Sequence, residues 1–107
     1  MNASVGDVAD TAALLKRRGI PLVVVIAPFE YQLRKPEDPD SQVPQGELVE
    51  LFSRAGVEPI DPRPAFDASR PSTDYYLAYD AMHFSAAGHR VMADVIDQAL
   101  RAQLPTR

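Results

Sequence analysis

The chain has 107 residues, 46% hydrophobic and 24% charged, with 10 prolines, no cysteine and a formal net charge of -4. That length holds one domain, and the composition is that of a globular chain and not a disordered one. Without cysteine there is no disulfide, thiolate metal site or cysteine nucleophile; the acidic balance, with no aromatic-basic stripe, argues against nucleic-acid binding. The longest apolar run, Ile20 to Phe29, is interrupted by Pro21 and Pro28 and falls far short of the ~20 residues of a bilayer span. Met1-Asn2-Ala3-Ser4 has neither a basic region nor an apolar core, so no signal peptide is expected.

Val5 to Arg18 is expected to be a helix. Val5, Val8, Ala9, Ala12 and Leu15 recur on one face, Ser4 is the expected N-cap, Asp7 suits the first turn, and Lys16, Arg17 and Arg18 oppose the dipole before the stop at Gly19. Pro21 to Ala27 is an unbroken apolar run of the kind that parallel sheets bury on both faces. It ends at Pro28, so Pro28-Phe29-Glu30-Tyr31-Gln32 falls at the rim where open α/β sheets bind ligands. Glu30, Tyr31 and Gln32 either contact a substrate there or form a solvated turn, and the turn is the expectation.

Arg34 to Pro44 is polar and proline-rich and is expected to be a long surface loop. Gln45 to Ala55 follows as a helix with Leu48, Leu51, Phe52 and Ala55 inward and Gly56 as its stop. Val57 to Ile60 is a short strand demoted toward an edge by Pro59, with Asp61 as a turn former. Asp61 to Ser72 is irregular, and Thr73 to Tyr79 is a turn or short helix whose tyrosines, Tyr75, Tyr76 and Tyr79, pack on the core. One of them can instead stack on a carbohydrate. Ser85 to Gln103 is an amphipathic helix with a stripe of Val91, Met92, Val95, Ile96, Ala99 and Leu100, an N-cap at Ser85 and Pro105 beyond its end.

The chemistry concentrates in Asp80-Ala81-Met82-His83-Phe84-Ser85-Ala86-Ala87-Gly88-His89, expected to be a loop entering the last helix. Within one turn, side chains three residues apart have Cβ atoms about 5–6 Å from each other. Asp80 can then accept the Nδ1–H of His83 and present the other ring nitrogen as a base, which is the base-and-orienter half of a Ser-His-Asp triad. A bare D-x-x-H is also common in turns, with the Asp as a cap and the His half-buried. His89 reads as a local packing residue in the first turn of the helix. The other option is a zinc site of Asp80, His83 and His89, for which two imidazoles and a carboxylate suffice.

With Asp80, His83, Ser85, Gly88 and His89 followed by the helix from Arg90 to Leu100, the chain resembles the C-terminal half of the SGNH (GDSL-like) hydrolases. "GIPLVVVIAP" looks like that family's penultimate core strand, and "GVEPIDPRPAF" like its last. The resemblance implies an α/β fold: part of a three-layer αβα, flavodoxin-like, SGNH-type sandwich with a parallel sheet, residues 1–107 being a single domain and the C-terminal part of the whole. It implies Asp80 and His83 as the catalytic residues of a serine ester hydrolase or O-acyltransferase, with no cofactor and no metal. The expected partner is an acylated small molecule or carbohydrate ester. "APFEYQL" and "DAMHFSAAGH" look most like members that handle acyl groups on bacterial polysaccharides.

The resemblance stops at the nucleophile. The serines are Ser4, Ser41, Ser53, Ser69, Ser72 and Ser85, and none stands in Gly-Asp-Ser or G-x-S-x-G. Asn2 lacks the surroundings of the family's oxyanion Asn. The chain is therefore expected to supply base and orienter only, and to be inactive alone. A two-stranded sheet is marginal by itself, so a homodimer, or pairing with a missing N-terminal half, is expected. The alternative is a non-catalytic remnant, an interaction module with an exposed sheet edge.

Overall fold

A computed structural model describes residues 2–103, the first two of these by backbone alone. The described elements run α1 (Asn2–Arg17), α2 (Glu30–Arg34), α3 (Pro39–Arg54), 3-10 turns at Arg63–Ala65 and Ser72–Tyr75, β1 (Tyr76–Leu77), β2 (Asp80–Phe84) and α4 (Ala86–Gln103). No described helix is long and apolar enough to cross a membrane.

Helix α1 keeps the expected face but begins earlier. Val5 is buried, with Val8, Ala9 and Ala12 packed beside it. Ser4 lies exposed inside the helix and not at its cap, because nothing in Asn2–Ser4 breaks the helix, and Asp7 is past the first turn. Gly19 has φ +72°, the left-handed stop, and Gly56 repeats it after α3 at +83°.

The proline-rich segment is largely helical, which corrects the expected long loop. Asp38 caps α3 by accepting the Asp40 N–H at 3.0 Å, and Pro39 takes the first helical position, where no N–H is needed. Pro44 lies within α3, and the helix continues through it. Phe52, Leu48 and Leu51 face the core as expected, and Val49 joins them, whereas Ala55 is exposed.

The run Pro21–Ala27 is extended but barely paired. One parallel bridge joins Val25 to Ile60, made by Ile26 N–H to Ile60 O (3.1 Å) and Ile60 N–H to Val24 O (2.8 Å). Pro59 and Pro62 bracket Ile60 and remove the donors that would extend the pairing. The sheet that does form is antiparallel, β1 against β2, within the segment expected to be a turn and a loop. In place of a parallel sheet, the chain shows an α/β domain with one parallel bridge and one hairpin.

Two apolar clusters hold these parts. The first joins α1, α3, Ile26 and Val57. The second gathers Phe66, Tyr75 and Tyr76 with Leu33, Phe84, Ala87, Val91 and Met92. Tyr79 does not join it and is fully exposed, contrary to the expected packing of all three tyrosines. The expected stripe of α4 is only partly buried: Val91, Met92, Val95 and Ala99 are half-buried, and Ile96 and Leu100 remain 39% and 47% exposed. Pro105 lies outside the described residues.

Side-chain donors complete the backbone where the sheet is missing. Gln45, only 1% exposed, donates to the Ile26 carbonyl at 3.0 Å, and the Tyr76 hydroxyl donates to the Pro28 carbonyl at 2.7 Å. Among the described residues, no buried side-chain polar atom lacks a partner, as a buried polar group requires.

Helix α4 is seated through Gly88. A Cβ there would stand 2.1 Å from the Tyr75 carbonyl oxygen and 2.8 Å from Phe84 Cδ1. Gly88→Ala is expected to lower unfolding stability by about 3 kcal/mol, the upper part of the overpacking range. Gly46→Ala, in an exposed turn of α3 with nothing near the new methyl group, is expected to raise it by about 0.5–1 kcal/mol. Urea titrations of the two variants check both signs.

Candidate functional site

The Asp80–His83 pair sits on a hairpin strand and not in a loop. On a regular strand, residues three apart point to opposite faces. Asp80 overcomes this by bending the chain: its Oδ1 accepts the Met82 N–H at 2.9 Å, and its Oδ2 lies 2.8 Å from His83 Nδ1. The tautomer with a proton on Nδ1 donates to the carboxylate and leaves Nε2 free to accept a proton. The structure thus brings the two residues together by an Asx-type turn and not by helical spacing.

Phe84 anchors the strand. Its ring packs against Tyr76 at 5.1 Å and Phe66 at 6.1 Å between centroids, while Ala81, Met82 and His83 remain exposed. Ser85 then ends the strand. Its N–H donates to the Tyr75 carbonyl at 2.9 Å, and its Oγ donates to the Asp74 carbonyl at 2.5 Å and accepts the Gly88 N–H at 3.3 Å. The expected N-cap role of Ser85 holds, and the helix proper starts at Ala86.

The Met82 N–H, and then the His83 ring, hold the Asp80 carboxyl below the usual carboxylate range. The His83 side chain is 73% exposed and that of Asp80 37% exposed, so solvent screens their attraction. The pair orients the ring more than it stabilises the fold.

Glu30 and Gln32 correct the expectation of a solvated turn. Both are buried in the short helix α2. Gln32 Oε1 accepts the Phe29 N–H at 2.8 Å, and its Nε2 donates to the Ser41 carbonyl at 3.1 Å. The Glu30 carboxylate accepts from Arg34 Nε at 3.0 and 3.1 Å. Tyr31 is exposed, and its hydroxyl donates to Asp38. Glu30 also lines a depression of about 290 Å³ that reaches Thr73, Tyr76, Tyr79 and Asp80. Burial, and then the nearby Glu30 carboxylate, push the Tyr76 hydroxyl well above its ordinary pKa. Its proton is held by the Pro28 carbonyl at 2.7 Å, a buried structural bond.

A separate cavity of about 310 Å³ lies between α2 and the 61–75 segment, and neither Asp80 nor His83 lines it. Asp61 shapes one wall. As expected it forms a turn, accepting the Arg63 N–H at 3.0 Å, and it also grips the guanidinium at 2.6–3.0 Å. Burial pushes the Asp61 carboxyl up, but Arg63 outweighs it and holds the group below the usual range. The ion pair had a visible cue in the Asp61-x-Arg63 spacing, whereas the approach of Gln42 to Arg63 comes from α3 and had none.

The other candidates fall apart spatially or chemically. His89 is exposed and sits edge-on to Phe84, 5.8 Å between centroids. Among the described residues, Asp80, His83 and His89 do not gather as a metal-holding group. Ser41, Ser69 and Ser85 spend their hydroxyls on Lys35 O, Asp67 Oδ1 and Asp74 O. No serine hydroxyl among the described residues hydrogen-bonds to His83.

Against this geometry, the family model described as "SGNH hydrolase-like domain, acetyltransferase AlgX" matches residues 1–107. No curated protein and no solved structure matches the chain.

A carboxyl whose folded pKa is depressed contributes stability above its unfolded value and loses it as the pH falls through the folded value. The turn at Asp80 is thus complete above pH 3.8, the ordinary value for Asp, and opens below it. The amide shift of Met82, followed by NMR, is expected to titrate with a midpoint under 3.8. In Asp80→Asn that titration is expected to disappear.

Proposed function

The chain belongs to the SGNH hydrolase-like domain family of acetyltransferase AlgX, and from that premise we propose that Asp80 and His83 are the orienter and general base of a serine-dependent acyl transfer. The observation that carries this is the 2.8 Å contact of Asp80 Oδ2 with His83 Nδ1, on a ring that faces solvent. The serine comes from outside these 107 residues. His83 Nε2 takes the Oγ proton as the serine oxygen attacks the ester carbonyl, and Asp80 stabilises the resulting imidazolium. The imidazolium returns that proton to the departing alkoxide. In the second half, Nε2 deprotonates either water or an acceptor hydroxyl as its oxygen attacks the acyl-serine carbonyl, and the imidazolium gives that proton to the departing serine Oγ, so that water yields hydrolysis and the hydroxyl yields O-acyl transfer.

The substrate is an acylated small molecule or a carbohydrate ester. The exposure of the pair fits a site whose remaining wall, with the serine and the oxyanion donors, comes from other sequence. The 107-residue chain alone is expected to show no turnover of p-nitrophenyl acetate. Expressed with the coding sequence that flanks it, it is expected to turn the ester over, and His83→Ala is expected to lower kcat/KM by about 10²–10⁴. Turnover by the lone chain that survives replacement of all six serines overturns the mechanism.

A second reading, an interaction module, is favoured by one specific feature. Val24 O and Ile26 N–H serve Ile60, so Val23 and Val25 direct their main-chain groups to the other edge, where among the described residues no main-chain bond is made. A groove of about 430 Å³ runs beside that edge, between residues 22–25 and Asp7, Val8 and Thr11 of α1, and suits an added strand. This reading expects a dimer in sedimentation equilibrium that Val23→Pro abolishes and His83→Ala leaves intact.

A further inference from the structure

Tyr79 combines two features that its own fold does not explain. It is the second residue of the Ala78-Tyr79 connection between β1 and β2, with φ +61°; among the described residues no other non-glycine residue has positive φ. Glycine or asparagine is the ordinary occupant of such a position. Its ring is also fully exposed, so no burial offsets the strained backbone, and no hydrogen bond or aromatic contact engages it among the described residues. Tyr75 and Tyr76 differ on each count. Both are buried, the Tyr75 hydroxyl accepts the Asp67 N–H at 3.1 Å, and the Tyr76 hydroxyl donates to Pro28.

The position of Tyr79 is equally specific. It immediately precedes Asp80 and forms part of the wall of the 290 Å³ depression that Asp80 borders. That wall alternates in character: Glu30, Thr73 and Asp80 offer polar groups, while Leu77, Ala78 and Ala81 offer apolar surface. Leu77 and Met82, on either side of the turn, are 51% and 66% exposed. A flat aromatic face beside mixed polar and apolar groups suits a partner with the same mixture, a ring whose C–H face is apolar and whose edge carries hydroxyls. A pyranose ring has that form, and a bare acyl chain does not.

We infer that Tyr79 is a substrate-positioning residue, whose ring packs against the pyranose that carries the ester and holds it beside His83. The inference rests on the acyl-transfer reading above for its substrate, but it concerns binding and is tested without turnover. Local strain held at an exposed residue next to reactive groups is a recurring mark of functional sites, and here it sets the direction in which the Tyr79 side chain leaves a turn of only two residues.

The test uses the protein expressed with the coding sequence that flanks these residues and partially O-acetylated xylotriose as the probe, with the NMR amide shifts of residues 77–83 as readout and a thermal melt in parallel. Wild type and Tyr79→Phe are expected to bind the probe with similar affinity. Tyr79→Gly is expected to bind about tenfold more weakly while melting no lower than wild type, because glycine relieves the positive φ. A merely structural role for the ring predicts the reverse, a lower melting temperature with binding retained by the folded fraction. The inference is overturned by that outcome, by equal binding in Tyr79→Gly, or by the absence of shifts in wild type at millimolar probe. Failure of the acyl-transfer reading shows up elsewhere, as His83→Ala leaving ester turnover unchanged in the longer protein.

Discussion

The carbonyl oxygen of Tyr75 accepts the Ser85 N–H at 2.9 Å and lies where a methyl group on residue 88 would stand only 2.1 Å away. Those two facts set the position of the strand end and of the helix start together. Ser85 is held from both sides, since its hydroxyl bonds to Asp74 O while receiving the Gly88 N–H. Phe84 is thereby pressed against Phe66 and Tyr76, and the residue before it, His83, is turned outward. The geometry of an exposed catalytic candidate is thus set by a buried contact between two backbones, and a backbone contact is more rigid than any side-chain contact would be.

The parts of the fold that were legible from sequence are those with local causes. The stops at Gly19 and Gly56 need a left-handed residue, the face of α1 follows 3.6-residue periodicity, and the Ser85 cap follows from its hydroxyl. The Asp80–His83 contact was legible as a pair, but its means was not. The spacing suggested one turn of helix, whereas the contact depends on the Met82 N–H bending a strand, a bond that no periodicity announces. The burial of Glu30 and Gln32 was equally hidden. Polar side chains read as solvated unless a partner is known, and theirs are Arg34, Phe29 N–H and Ser41 O.

The prolines misled in two directions. In Arg34–Pro44 they suggested a loop, yet Pro39 occupies the one helical position that suits it and Pro44 is carried within α3. In Pro21–Ala27 the apolar run suggested a well-paired parallel strand, yet Pro59 and Pro62 deny it a long neighbour among the described residues. An apolar run records a tendency to be covered on both faces, and here only Ile26 of Pro21–Ala27 is buried while Leu22 is 39% exposed. It does not record which segment does the covering, and the family membership of residues 1–107 is what gives that run its place in an α/β domain.

The bond from Gln45 Nε2 to Ile26 O turns the connection between them into a ruler. Each residue inserted into or removed from α3 before position 45 rotates the preceding turns by about 100° relative to the rest. Gln45 and the buried pair Ser41–Gln32 would then no longer face the strand end together. A buried carbonyl left without its donor costs about 1–3 kcal/mol, a large share of what a domain of this size possesses. Length variation among chains of this architecture should therefore be suppressed between Pro28 and Gln45, proline-rich and polar as that stretch is. It should collect instead around Asp67–Pro71, where the residues are exposed and the bond that spans the segment, from the Asp67 N–H to the Tyr75 hydroxyl, is only partly buried.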